Sequence, residues 1–317
     1  MSDEVHINFN SISAKITSDS ADFLKYLKDY FGGYSITFLP KIDLSIIINF
    51  QSGYSTKMTG QLPASVEVSL GEKVGYSSGK KTFYFTYNEI QGNLSFVDSG
   101  EWNVEVSFQK NIFKHIANRI LYSQRDQSHY YRLITRLIIQ NLLFIKLQIH
   151  KSISLISAAA VVVRDGAYVF AGLPGSGKTT TVKLLKQSFP DIASVAENYV
   201  LVEDGLLLPF PEGIEKVVLK PYPVKALFIV THGRELVVEK LSAKQAYAEI
   251  LAINHATAEL PIHSLWSSMM MIIPEWQKLA FSEESLRDLL AKIPASYLCV
   301  DRYGKKFVDF FDQHYGQ

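Results

Sequence analysis

Cysteine is almost absent from this sequence, since Cys299 is the single one among 317 residues. A lone cysteine cannot close an internal disulfide or supply a cysteine-based zinc site, which excludes both ways of holding the fold. An excess of charge of one sign is also missing, because 32 basic and 31 acidic side chains leave a formal net charge of +1. This balance gives no electrostatic reason for nucleic acid or a membrane surface to be the main partner, and we expect neither.

A hydrophobic run long enough to span a membrane is lacking as well. The most apolar stretch, residues 133–149, is interrupted by Arg136, Asn141 and Lys146, among others, and therefore predicts a buried helix. Residues 1–6 are acidic and have no apolar segment, unlike a signal peptide, so we expect a cytoplasmic protein. With 317 residues, 47% of them hydrophobic, the chain is long enough for two domains.

What the sequence does contain is a phosphate-binding loop motif. The pattern G-x-x-x-x-G-K-[ST] is matched without departure by Gly172, Leu173, Pro174, Gly175, Ser176, Gly177, Lys178 and Thr179. The apolar residues 168–171 before it predict a buried strand, and residues 180–186 after it predict a helix. A glycine-rich turn that binds nothing is the alternative, but the strand and helix on its two sides favour a loop that binds phosphate.

The residue types in this motif fit the binding of a nucleotide. Glycines let the backbone turn its N–H groups onto the phosphates, and a helix beginning near Thr180 directs its positive N-terminus at the same anion. Lys178 is expected to contact the β and γ phosphates, and the Thr179 hydroxyl is expected to be a ligand of Mg²⁺. The predicted nucleotide-binding residues are therefore 172–180.

Residues 1–108 are predicted to form a β-rich N-terminal domain that carries no recognisable chemistry. Runs rich in β-branched and aromatic residues indicate strands at 44–50, 66–70, 82–87 and 103–108. One helix is expected between Ser20, a suitable N-cap, and the glycines at 32–33 that would end it. Residues 77–81 resemble a phosphate loop only superficially, and the strand pattern after them predicts a hairpin turn.

A second domain is predicted from residue 109 to residue 317. Ile112, Ile116 and Ile120 indicate one helix at its start. Residues 131–147 indicate a longer helix, which we expect to pack on the sheet that holds the phosphate loop.

The order of elements around the loop is the most informative feature of this second part. Residues 158–163 and 168–171 are apolar runs joined by a turn containing Asp165 and Gly166, which is a strong hairpin signal. The strand that leads into the loop is therefore expected to follow an antiparallel neighbour. Further strands are expected at 194–202, 206–208, 217–219, 226–230, 235–238 and 297–300, with capped helices beginning at Ser242 and Ser282. The predicted fold class is α/β with α+β character, built on a mixed sheet.

This order of motifs resembles the HPr kinase/phosphorylase superfamily, whose P-loop domain is related to phosphoenolpyruvate carboxykinase. The similarity is greatest to the kinase-like proteins of peptide-modifying pathways, and it covers roughly residues 130–310. It depends on the segments 158–161, 169–180, 197–202, 209–211, 226–230, 241–247 and 293–298. The resemblance implies ATP or GTP with Mg²⁺ as cofactors and a serine-type hydroxyl of a peptide or protein as acceptor. A homo-oligomer is compatible with it.

Three positions depart from the family pattern. The family usually has His where Ser157 stands, and an Asp–Asp pair where Glu197 and Asn198 stand. In the family, that pair holds Mg²⁺ and supplies the base. By resemblance, the catalytic candidates are Lys178, Glu197 and Asn198, and the metal ligands are Thr179 and Glu197.

Two functions of different classes remain open after these departures. An amide such as Asn198 cannot accept a proton, so a mechanism with two carboxylates is incomplete. Phosphoryl transfer depends mainly on positioning and charge neutralisation, which keeps a nucleotide-dependent kinase as the first hypothesis. The second is a pseudokinase or scaffold whose loop changes its affinity for a peptide or protein, and a small-molecule kinase is a weaker third. His150 and His232 have no metal-ligand partners at useful spacing and are expected to be structural.

Overall fold

The computed structural model describes residues 4–9, 12–36, 41–55, 62–70, 74–87, 89–96, 100–111, 127–150, 153–196, 198–208, 220–256, 283–301 and 304–315. Contacts divide these residues into two units, one reaching Leu147 and the other beginning at Gln148. Both units combine helices with a large mixed sheet, so the coarse prediction of a mixed α and β protein is confirmed. No helix among the described residues is long and apolar enough to cross a membrane.

The first unit is built on a nine-stranded sheet, which confirms a β-rich N-terminal region. Its strands are β1 (Glu4–Phe9), β2 (Ile12–Ser18), β3 (Ser35–Ile36), β4 (Leu44–Ser55), β5 (Val68–Leu70), β6 (Val74–Ser77), β7 (Thr82–Tyr87), β8 (Ile90–Phe96) and β9 (Trp102–Asn111). They lie in the order β3-β1-β2-β4-β9-β8-β7-β6-β5, and the β2–β4 and β4–β9 pairs are parallel. The predicted turn at residues 77–81 joins β6 to β7, whereas β1 and β2 had not been predicted.

Helix α1 (Ala21–Phe31) begins and ends where the sequence predicts. The Ser20 side chain caps it by accepting a hydrogen bond from the Phe23 N–H, and Gly32 ends it with φ of 46°. The apolar stripe of this helix is buried, with Phe23, Leu27 and Phe31 fully inaccessible to solvent. A short 3₁₀ turn over Gly32–Tyr34 then leads into β3.

The predicted long helix exists, but it packs on a different sheet from the one expected. It consists of α2 (Gln127–Ile134), a π-helical turn (Thr135–Ile139) and α3 (Gln140–His150). Its Tyr131 ring lies 5.6 Å from the ring of Phe50 in β4, and Gln140 donates a 2.9 Å hydrogen bond to the Tyr30 hydroxyl in α1. The contact division between the two units falls between Leu147 and Gln148, in the last turn of α3. The predicted helix at Ile112, Ile116 and Ile120 falls outside the described residues.

The second unit contains an eight-stranded sheet and four described helices. Its strands are β10 (Ser154–Val163), β11 (Gly166–Ala171), β12 (Ala193–Ala196), β13 (Tyr199–Glu203), β14 (Leu206–Leu208), β15 (Tyr222–Gly233), β16 (Val237–Leu241) and β17 (Ala295–Asp301). Its helices are α4 (Lys178–Ser188), α5 (Ala243–Ala256), α6 (Glu283–Lys292) and α7 (Lys305–Tyr315). Helix α7 had not been predicted, and the strand predicted at 217–219 falls outside the described residues.

Both hairpins predicted in this unit are confirmed. β10 pairs antiparallel with β11 across the turn at Arg164, and β13 pairs antiparallel with β14 across Asp204 and Gly205. The capping box predicted at Ser242 is also present, since the Ser242 N–H donates to the Gln245 side chain and the Gln245 N–H donates to the Ser242 Oγ. Local sequence therefore accounts for most of the turns around the phosphate loop.

Five strands of the second unit form a closed circuit. β10 pairs with β11, β11 with β15, β15 with β14, β14 with β13, and β13 again with β10. β15 is parallel to both β11 and β17. One side of these strands packs on α4 and α7 through a core containing Phe170, Phe228, Leu185 and Phe307, and the other side packs on α5 and α6.

Candidate phosphate-binding site

The predicted phosphate loop lies between the end of β11 and the start of α4, in the strand–loop–helix arrangement that the sequence indicates. β11 ends at Ala171, and α4 begins at Lys178. Both faces of β11 are covered by the core, so all of its residues are buried, whereas the loop is open to solvent, with Leu173 47% exposed. The loop is therefore a surface feature held on a buried strand.

The glycines at the two ends of the loop are required for different reasons. A Cβ on Gly172 would lie 2.3 Å from the Ser176 Oγ and 2.9 Å from the Val230 carbonyl oxygen, so no side chain fits there. Gly177 is the N-cap of α4 in a left-handed conformation with φ of 99°. A Cβ on Gly177 would also meet the ring of His232 at 2.3 Å.

Lys178 is held against the loop by the loop's own carbonyl groups. Its Nζ donates to the Gly172 oxygen at 2.6 Å and to the Leu173 oxygen at 3.0 Å. Burial lowers the pKa of this ammonium group from its ordinary value. A lysine has three donors, and these two bonds leave one N–H for an oxygen of a ligand.

The first turn of α4 supplies further donors beside Lys178. The first bond within the helix runs from the Thr181 N–H to the Gly177 oxygen at 2.8 Å, so the preceding amides have no acceptor inside the helix. Thr179 and Thr180 stand in this turn, and both are exposed. The helix dipole adds partial positive charge at the same end, which favours an anion.

The turn that contains Asn198 lies one strand away from the start of the loop. The Asn198 carbonyl accepts a 3.0 Å hydrogen bond from the Ala158 N–H, and the Gly172 N–H donates to the Ser157 oxygen at 3.4 Å. Ser157 and Ala158 are consecutive residues of β10, which therefore separates the two segments by about 10 Å at strand spacing. Glu197, the predicted metal ligand beside Asn198, falls outside the described residues.

The described residues around the loop supply hydrogen-bond donors. Among them, no group of three or more His, Cys, Asp or Glu side chains lies close enough to hold a metal ion. The buried Ser176 Oγ has no hydrogen-bond partner in the described part of the chain. The Lys178 ammonium and the amides in the first turn of α4 are the donors that an anion on the loop would meet.

One residue that the sequence analysis expects to be structural lies beside the loop. His232 is an exposed residue near the end of β15, and its ring lies against Gly177 of the phosphate loop. A signal for this position was present, because Phe228, Val230 and His232 alternate along one strand and must share a face. The other histidine set aside, His150, ends α3, and its side chain falls outside the described residues.

Comparison of the chain with known proteins gives no family assignment. No protein-family model matches it, and no curated protein sequence matches it significantly. The chemistry of the phosphate loop and its surroundings is therefore the basis for any functional conclusion.

Proposed function

We propose that this chain binds a nucleoside triphosphate with Mg²⁺ at the phosphate loop and transfers the γ-phosphate to a serine-type hydroxyl of a peptide or protein. The observation that carries the proposal is the loop between β11 and α4. The Lys178 ammonium is bonded to carbonyl groups at the start of this loop, and the first amides of α4 have no acceptor inside the helix. Loops of this geometry bind the phosphates of nucleotides through backbone N–H groups and a lysine. A PEP-carboxykinase or HPr-kinase type of fold is part of the same proposal, supported by the antiparallel strand β10 that precedes β11.

The chain's own residues would bind and orient the phosphates. The Lys178 ammonium already donates to two carbonyl oxygens and can donate its third N–H to a phosphate oxygen. Its positive charge would then offset the negative charge that develops during transfer. The Thr179 hydroxyl, in the first turn of α4, is the residue that would hold Mg²⁺, together with Glu197. Bound Mg²⁺ supplies charge neutralisation between the phosphates, which is a large part of catalysis in this class of reaction.

Nucleotide binding is tested first with Lys178→Ala. The variant should weaken Mg²⁺-ATP or Mg²⁺-GTP binding by about 1–3 kcal/mol, the range for a lost hydrogen bond to a charged group. Isothermal titration calorimetry on the intact chain measures this directly. Lys183→Ala is a matched control, because Lys183 lies further along α4 at an exposed position and should leave the affinity unchanged. Wild-type protein that binds neither nucleotide at millimolar concentration would refute the proposal.

Phosphoryl transfer is tested at Glu197 and Asn198. Glu197→Gln should remove transfer almost completely and leave part of the nucleotide affinity, because Lys178 and the loop amides still hold the phosphates. Asn198→Asp supplies a second carboxylate and should raise the rate by up to about 10²-fold if base catalysis is the missing contribution. The measurement is transfer of labelled γ-phosphate to peptides and proteins encoded beside this gene.

A pseudokinase that binds nucleotide and a partner without transfer is the second candidate. It is favoured by Asn198, whose backbone carbonyl is bonded to the Ala158 N–H and whose amide side chain cannot act as a base. In that case both variants would leave transfer at background, and Glu197→Gln would change only metal-dependent binding. The labelled-phosphate assay therefore separates the two candidates.

A further inference from the structure

The position of His232 follows from the register of β15 beside β11. The two strands are parallel, and Ala171, the last residue of β11, lies opposite Ile229. His232 stands three residues further along β15, beyond the end of β11 and beside the loop that follows it. It continues the face of Phe228 and Val230, which is the face covered by α4. The strand therefore carries this side chain to the N-terminus of α4.

The ring of His232 presents a polar edge to the loop. A Cβ built on Gly177 would lie 2.3 Å from both Cε1 and Nε2 of the imidazole, and 3.1 Å from Nδ1. The outer edge of the ring, with Nε2, thus faces the N-cap of α4. The histidine is exposed, so solvent and a ligand on the loop can reach its side chain.

The side chains of Lys178 and His232 contact different parts of the loop. The Lys178 ammonium is bonded to the carbonyl oxygens of Gly172 and Leu173 at the start, whereas His232 contacts Gly177 at the end. An anion seated on the amides of α4 would be next to the residue that carries the ammonium group, and next to Gly177, which the imidazole contacts. A neutral imidazole carries one N–H donor and an imidazolium carries two, so either form can donate to a phosphate oxygen.

We propose that His232 is a phosphate-contacting residue that donates a hydrogen bond from its imidazole to a phosphate oxygen of the ligand on the loop. The inference rests on the proposed function and adds His232 to Lys178 as a second side chain that contacts the phosphates. It also accounts for a glycine at position 177, since any larger residue would displace the ring from this place. The ligand class is a polyphosphate, whether free or part of a nucleotide.

The test measures binding of Mg²⁺-ATP and of inorganic tripolyphosphate to the intact chain by calorimetry. His232→Ala removes the ring, His232→Phe keeps a ring against Gly177 without a donor, and His232→Gln restores an N–H near the position of Nε2. His314→Ala is the matched control, because His314 is an exposed histidine on α7. Circular dichroism and thermal melts verify that each variant folds.

The alanine and phenylalanine variants should bind both ligands about tenfold more weakly, as for a lost hydrogen bond to a charged group, and the glutamine variant should stay within about threefold of wild type. Alanine and phenylalanine variants that bind like wild type, or more tightly, while Lys178→Ala loses affinity, would overturn the role of His232 and leave the proposed function standing. Wild-type protein that binds tripolyphosphate but no nucleotide would refute the proposed function alone, and the same variants would then decide the inference on tripolyphosphate. Binding of neither ligand would overturn both.

Discussion

The side chain of Asn254 holds the strand behind the phosphate loop, and its removal should destabilise the second unit. Its Oδ1 accepts a 2.9 Å hydrogen bond from the Ser157 N–H, and its Nδ2 donates to the Leu155 oxygen at 2.8 Å. Both partners are backbone groups of β10, and the Ser157 carbonyl in turn accepts from the Gly172 N–H. The Asn254 side chain in α5 therefore satisfies two backbone groups of β10 next to the loop.

The cost of Asn254→Ala follows from the burial of these partners. Ser157 is only 5% exposed, so its N–H would lose its acceptor where water has little access, while Leu155 is half-buried. A buried polar group left without a partner costs about 1–3 kcal/mol, and the lower end applies to the more accessible Leu155 carbonyl. Alanine regains roughly 0.5 kcal/mol because its helix propensity is higher than that of asparagine. The net destabilisation should be about 2–3 kcal/mol, or roughly 4–12 °C in the melting temperature of a unit of this size.

Scanning calorimetry and hydrogen exchange of the β10 peptide measure this effect, with Glu249→Ala as the control at an exposed position of α5. Asn254→Asp is a sharper variant, because the acceptor for Ser157 is kept while a carboxylate oxygen faces the Leu155 carbonyl. That repulsion should raise the pKa of the new carboxyl group in the folded state, so its stability should increase as the pH falls through that pKa. An alanine variant within about 0.5 kcal/mol of the control, with unchanged exchange in β10, would refute the reasoning.

Two further predictions concern the loop and the first unit. Gly175→Ala should cost about 1–2 kcal/mol for its left-handed backbone alone, because a Cβ there meets nothing within 4 Å. Gly177→Ala must in addition displace the exposed His232 ring, which should add up to about 1 kcal/mol. Thermal melts measure both, and His232→Ala should relieve only the second; equal relief of both would contradict this account. The Lys146 Nζ lies 4.5 Å from the Trp102 ring centre, and burial lowers the pKa of this ammonium group from 10.5 to about 8. Above pH 8 the unfolded chain therefore binds more protons than the folded chain, so the free energy of unfolding should rise with pH towards 10.5. Urea unfolding of wild type and of Lys146→Met between about pH 8 and 9.5, below the ionisation of tyrosine, measures this effect, and the variant should not show the rise. Parallel pH profiles of the free energy of unfolding for wild type and variant would contradict the prediction.

The sequence predicts the surroundings of the phosphate loop well because local signals dominate there. The turn between Val163 and Gly166, the glycines of the loop and the capping box at Ser242 each constrain only a few neighbouring residues. All three are confirmed as a hairpin, a strand–loop–helix segment and a helix start. Local chemistry of this kind does not depend on which distant element packs nearby.

Packing partners could not be predicted in the same way. The long helix around Tyr131 shows an apolar period, but that period cannot tell which sheet will receive it. Aromatic residues of α1 and β4, including Phe23 and Phe50, supply the surface on which it lies. The position of His232 beside the loop depends in the same way on the neighbouring strand, because the register of β15 against β11 brings the histidine there.

The closed circuit formed by β10, β13, β14, β15 and β11 has a mechanical consequence for the phosphate loop. In an open sheet, a strand at the edge can slide or peel once its bonds to one neighbour are lost. Sliding β11 along its axis would have to shear its ladders with β10 and β15 together. The base of the loop thus has almost no freedom to translate. We therefore expect any adjustment to a ligand at this site to involve the loop and its side chains more than β11.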